Sequence, residues 1–299
     1  MKAPIPDVSK PVCAWQIPAS LGEGTFWSSQ KQRLYWVDIL GHALHAYDPR
    51  QEHPKTWRFM QAITAVTECT DANQLLVTLR NDFAYFDLQT EQLTLLHRPE
   101  PDMLSNRFND GKCDRHGNFW SCTMDENGML PTGHLYRYRS HGECTRIACH
   151  FKVTNGPAFS PDGQFMYLND TVSRRVVRFH LNALGDIISE PMDWLTFHPE
   201  DGYPDGMTVD RHGRVWIAHW GGGCVSCHDP QTAQEVLRIP LPCTQVTNCC
   251  FGGKNLNTLF ITTASTGLSS SELLAQPLAG SLFSVDTSCQ GIPSHRFSN

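Results

Sequence analysis

Asp210-Arg211-His212-Gly213-Arg214-Val215-Trp216-Ile217 reads as a polar turn feeding a short apolar run. Aspartate and glycine supply the turn, and the β-branched and aromatic residues that follow suit a strand. The phrase recurs upstream. Asp114-Arg115-His116-Gly117 precedes Asn118-Phe119-Trp120-Ser121, and Ser160-Pro161-Asp162-Gly163 precedes Phe165-Met166-Tyr167-Leu168. Looser copies end in Leu34-Tyr35-Trp36-Val37, Gln74-Leu75-Leu76-Val77 and Thr258-Leu259-Phe260-Ile261. The third residues of the six runs, Trp36, Leu76, Trp120, Tyr167, Trp216 and Phe260, lie 40, 44, 47, 49 and 44 positions apart. A second alternating stretch follows most runs, as in Phe83-Ala84-Tyr85-Phe86-Asp87.

Period-two alternation between turns signals antiparallel strands. A repeat of roughly 40–50 residues holding about four strands has the length of a propeller blade. Six such repeats fill the chain, so the sequence predicts an all-β protein, a six-bladed β-propeller forming a single domain over residues 1–299. A β-sandwich also uses many short strands but does not require a sixfold period. The segment at 12–17, Val12-Cys13-Ala14-Trp15-Gln16-Ile17, alternates ahead of the first repeat. It is expected to pair with the last blade and close the ring, removing an exposed edge. Ser270 to Pro277 has room for one or two helical turns before its proline and reads as a loop insertion in the last blade.

Composition narrows the function. Of 299 residues, 40% are hydrophobic and 18% charged, and the formal net charge is −6. This is a soluble globular balance and argues against a nucleic-acid surface. No apolar run approaches the length of a membrane helix, and Met1-Lys2-Ala3-Pro4-Ile5-Pro6-Asp7 lacks the apolar stretch of a signal peptide. The twelve cysteines are scattered and read as reduced, buried hydrophobes. A cytoplasmic protein, monomeric or a small homo-oligomer, is therefore expected. Cys224 and Cys227 have the spacing of half a zinc site, but no second pair matches them, and alternation on a strand would place them on opposite faces.

The candidate site emerges by counting back from each strand marker. Glu23 lies 13 residues before Trp36, Asn109 11 before Trp120, Asn155 12 before Tyr167, Asp205 11 before Trp216 and Asn248 12 before Phe260. The second repeat holds Thr64 in this slot, 12 before Leu76. Equivalent positions of successive blades converge on the propeller axis. Alone, Asp205-Gly206 would read as a tight turn. In register with its counterparts it becomes part of a set of carboxylate and amide oxygens, the donors hard divalent cations prefer. A water-filled polar channel is the plainer alternative.

The same residues carry a family resemblance. Asn106-Arg107-Phe108-Asn109-Asp110-Gly111-Lys112, Ser121-Cys122-Thr123-Met124, Pro204-Asp205-Gly206-Met207 and Thr247-Asn248-Cys249-Cys250-Phe251-Gly252-Gly253-Lys254 resemble the senescence-marker protein (regucalcin) and gluconolactonase family, over about Leu21 to Asp286. The resemblance implies a six-bladed propeller that hydrolyses sugar lactones with one divalent cation: calcium, zinc, manganese, magnesium or ferrous iron. It implies Glu23, Asn155 and Asp205 as metal ligands, Asp205 as general base, and Arg107 and Asn109 as substrate contacts. An acidic sugar contact falls at Glu126 or, by ungapped matching, at Asn127, with Glu126 preferred. The loop from Glu126 to Gly133 is shorter than in animal members, which leaves substrate preference open. On residue type alone, Trp27 and Trp220 read as blade packing and His219 as a satisfied core residue. An arylesterase-type hydrolase and a non-catalytic calcium-binding propeller are the competing functions.

Overall fold

The computed structural model describes residues 4–50 and 54–299, apart from the Cys149 side chain. Residues 1–3 of the leader reading above lie outside that range. Six four-stranded antiparallel sheets follow one another along the chain and form a six-bladed β-propeller. Their innermost strands are Gly22–Ser28, Ile63–Glu68, Asn106–Cys113, Thr154–Phe159, Tyr203–Val209 and Val246–Gly252. Each contacts the next around the axis, and the sixth contacts the first. Val12–Trp15 is the outermost strand of the sixth sheet, pairing with Leu282–Asp286. One edge therefore joins the two ends of the ring.

The apolar markers form the second strand of each blade. Leu34, Tyr35, Trp36 and Val37 are all buried, as are Val215, Trp216 and Ile217, because both faces of these strands are covered by neighbouring blades. Six apolar clusters lie between blades. Tyr35 and Val37 meet Val66 and Leu75 between the first and second, and Trp36 meets Cys250 and Phe260 between the sixth and first. The recurring turn explains its own composition. Asp114 accepts backbone N–H from His116 and Asn118, and its other oxygen takes the Trp120 indole N–H at 2.8 Å. Asp210 does the same for His212, Arg214 and Trp216. The aspartate thus fixes both the turn and the tryptophan it introduces.

Cys224 and Cys227 are buried and free. Trp27 stacks on Phe260 between blades. His219 is a satisfied core residue, bonded to Asp201 O and Ser226 Oγ. The insertion is a single short helix, Ser270–Ala275, with a capping box from Ser269 and Glu272. The C-terminal tail crosses the face opposite the pocket described below. Phe297 is fully buried against Tyr85 and Tyr138, and its N–H donates to Glu68 O. Among the described residues no helix is long and apolar enough to cross a membrane.

Candidate active site and metal centre

Every innermost strand breaks register with its partner at the same place. From Glu23 to Phe26 the inner strand advances three residues while its partner moves two, from Val37 to Tyr35. The pairings Phe108–Gly111, Asn155–Ala158 and Pro204–Met207 show the same single extra residue, as do Ile63–Ala65 and Val246–Asn248 over a shorter span. A bulge leaves one residue unpaired and re-aims its side chain. Repeated six times at one height, it turns the slot residues toward the axis. Asp205-Gly206 is accordingly a bulge inside a strand rather than a turn ahead of one. Gly206 is required by proximity, because a Cβ there would collide with the Asn248 side chain.

Glu23, Asn155, Asp205, Arg107 and Asn109 line one pocket of about 270 Å³ at the start of the inner strands. The buried Asp205 carboxyl lies beside that of Glu23, close enough for each to act on the other. Glu23 Oε2 also accepts from Asn248 Nδ2 at 2.9 Å and Gly24 N at 3.1 Å. Asn155 presents an amide oxygen that receives Asn109 Nδ2 at 2.9 Å. Its own Nδ2 donates to Thr171 Oγ1, which donates on to Pro204 O. Asn169 Nδ2 donates to the Asp205 carbonyl. Arg107 Nη1 donates to Phe108 O and Asn109 Oδ1, both at 2.8 Å. Glu126 is not among the pocket-lining residues. It sits with Asn127 in an exposed turn and pairs with Arg80 at 2.7 Å, although its charge still acts on Arg107.

Asp110 and Thr171 carried no assigned role in the sequence reading, and Trp220 was read there as blade packing. Asp110 shares the bulge of Asn109 and accepts from Gly111 N and Gly156 N, with Asn248 Nδ2 at 3.3 Å. It stands next to Asn109 in the chain, which was the available signal. Thr171 and Trp220 line the pocket but belong to loop and strand ends outside the slot register. Trp220 therefore forms pocket wall, contrary to the blade-packing expectation.

The electrostatics follow from burial. Desolvation pushes the Asp205 and Glu23 carboxyls well above their usual range, and for Glu23 the neighbouring Asp205 and Asp110 charges add to the rise. Burial also raises Asp110, while Lys112 opposes the shift. Arg107 is lowered to about 10 by burial and stays charged at neutral pH. Among the described residues no basic side chain forms an ion pair with Glu23, Asp110 or Asp205, and no three carboxylate, imidazole or thiolate groups converge as a metal-holding set. The donors are instead two adjacent carboxyls and an amide oxygen with a spare lone pair. Such carboxyls repel unless a proton or a cation lies between them. The set fits a hard or borderline divalent cation.

Comparison with known proteins gives a consistent picture. The SMP-30/gluconolactonase/LRE-like region matches residues 21–265. A protein named "Putative sugar lactone lactonase YvrE" from Bacillus subtilis (strain 168) is 35% identical, covering 91% of this chain and 93% of its own. The L-arabinolactonase of Azospirillum brasilense is 33% identical over 93% of this chain and 92% of its own. The crystal structure of a calcium-binding protein, regucalcin, from Agrobacterium tumefaciens superposes with a TM-score of 0.93 at 26% identity, covering 97% of this chain and 98% of that one.

Proposed function

The chain belongs to the SMP-30/gluconolactonase/LRE-like family, and from that premise we propose that it opens the ring of a sugar-derived lactone to the sugar acid, using one divalent cation and Asp205 as general base. The observation that carries the reading is the close approach of the buried carboxyls of Glu23 and Asp205 at the floor of a pocket walled by Arg107.

Glu23, Asn155 and Asp205 would hold the cation. When bound, it supplies Lewis-acid polarisation of the lactone carbonyl and compensates the negative charge that develops there. Asp205 accepts the proton of the attacking water as the new C–O bond forms at the carbonyl carbon. That proton then passes to the ring oxygen as the ester C–O bond breaks, so lactone and water give one hydroxy acid. Arg107 keeps one edge of its guanidinium free to orient ring hydroxyls, since Nη1 is committed to Phe108 and Asn109. Asn109 acts mainly by holding Arg107 and Asn155, and Glu126 reaches substrate only from the rim.

The test is a turnover screen over aldonolactones after chelation and re-addition of single cations, run beside Asp205→Asn. Turnover that needs a cation and disappears in Asp205→Asn is expected. Cation binding without turnover of any ester would leave a non-catalytic calcium-binding propeller. Trp220 and Tyr203 on the pocket wall favour an arylesterase as the second reading, and a higher kcat/KM on aryl esters than on any lactone would select it.

A further inference from the structure

An asparagine amide can turn either end toward an ion, and only its oxygen is a ligand for a hard cation. At Asn155 the neighbours decide which end it is. Arg107 carries donors only and places Nη1 on Asn109 Oδ1, while the Thr154 carbonyl accepts from Asn109 Nδ2. Asn109 therefore offers an N–H to Asn155, which answers with Oδ1. On the other side the Pro204 carbonyl is an acceptor only, so the Thr171 hydroxyl gives it its one proton at 2.9 Å. That hydroxyl then has only lone pairs to offer, and Asn155 Nδ2 donates to it at 3.0 Å. Turning the Asn155 amide over would set N–H against N–H at Asn109 and oxygen against oxygen at Thr171. Arg107, Asn109, Asn155 and Thr171 are all buried, so a lost bond here leaves a polar group unpaired.

Thr171 also reaches across a blade boundary. It directly follows Phe165–Asp170, the second strand of the fourth blade, whereas Pro204 precedes Asp205 on the inner strand of the fifth. From that same second strand Asn169 Nδ2 donates to the Asp205 carbonyl. The backbone carbonyls before and at Asp205 are thus both held by the fourth blade. We infer, on the cation-binding part of the reading above, that Thr171 is a positioning residue of the ion site. Its hydroxyl keeps the Asn155 oxygen toward the ion and holds Asn155 of the fourth blade in register with Asp205 of the fifth.

Calorimetric titration of the full chain with manganese, and separately with calcium, tests this without turnover. Thr171→Val keeps the side-chain shape and removes the hydroxyl. Its Kd for either ion should rise about 10- to 100-fold, the range for losing a hydrogen-bonded support behind a ligand. Thr171→Ser keeps the hydroxyl and should bind close to wild type. Added to Asn155→Ala, the valine change should cost almost nothing more, because the two side chains act as one unit. If Thr171→Val does not fold, Thr171→Cys takes its place, since a thiol is a weak acceptor. A lower melting temperature in chelator with an unchanged Kd would make the hydroxyl a structural brace only and overturn the inference. A serine variant as weak as the valine one, or a full valine loss in the Asn155→Ala background, would overturn it too. In all three cases the cation reading survives. Wild type that binds neither manganese nor calcium removes that reading and the inference with it.

Discussion

Asp205→Asn should make the cation-free protein more stable while abolishing its response to divalent cations. In the wild type two buried carboxyls lie side by side, and burial holds both above their ordinary range. An acid whose folded pKa is raised contributes stability below its unfolded pKa and loses it as pH rises through the folded value. The chelated wild type is therefore penalised increasingly toward alkaline pH. An asparagine at 205 removes one acid and can donate its amide N–H to the remaining Glu23 carboxylate. A hydrogen bond to a charged group contributes about 1.5–3 kcal/mol. With roughly 2 °C of melting temperature per kcal/mol for a chain of this size, the variant should melt about 3–6 °C higher than wild type in chelator at pH 8. The gain should shrink near pH 5, where the wild-type pair keeps a shared proton. Adding a cation at about a hundred times its Kd stabilises a competent site by about 2.7 kcal/mol, so wild type should regain roughly 5 °C by the same scaling and the variant almost none. Thermal melts in chelator and in calcium, manganese or zinc at both pH values would measure this. A variant that melts below wild type in chelator at pH 8, or that still gains stability from a cation, would refute the reasoning.

Other consequences concern the surroundings of the pair. Asn248→Leu removes the donor shared by Glu23 and Asp110, and the cation affinity measured by calorimetry should fall about 10- to 100-fold. Arg107→Ala should lower kcat/KM by about tenfold to a hundredfold, mainly through KM, because the guanidinium binds ring hydroxyls before and during reaction alike. His45 and His219 are lowered by burial from 6.5 to about 4. The unfolded chain therefore binds protons first as pH falls, and stability should decline between pH 6.5 and about 4. The loss is at most about 3 kcal/mol per histidine, readable as a falling urea midpoint. Phe297→Ala empties a fully buried aromatic site between blades and should cost about 3–5 kcal/mol, with activity retained in the folded fraction.

The blade count was legible because the second strands, covered on both faces, begin with runs of buried apolar side chains such as Leu34 to Val37, and their turns need aspartate and glycine for the reasons seen at Asp114 and Asp210. The slot residues were legible through the same period. The device that aims them was not. A bulge at Glu23-Gly24-Thr25 or Asn109-Asp110 is a matter of pairing between strands, and neither residue type nor spacing encodes it. For the same reason Asp205-Gly206 looked like a turn. Trp220 was misjudged because its neighbours on the chain do not reveal that it ends its strand opposite Tyr203 at the pocket. Glu126 sat at the limit of what spacing can resolve, since a one-residue loop shift decides whether it or Asn127 matches the family's acidic position.

The claim beneath the whole account is that oxygens from three separate blades share one ion. A crystal soaked with manganese and measured at an anomalous wavelength tests it directly. The account predicts a single strong peak bonded to carboxylate oxygens of Glu23 and Asp205 and to Asn155 Oδ1, at oxygen-ligand distances. A map with no peak between those three side chains, while the ion occupies another place on the protein, would contradict it.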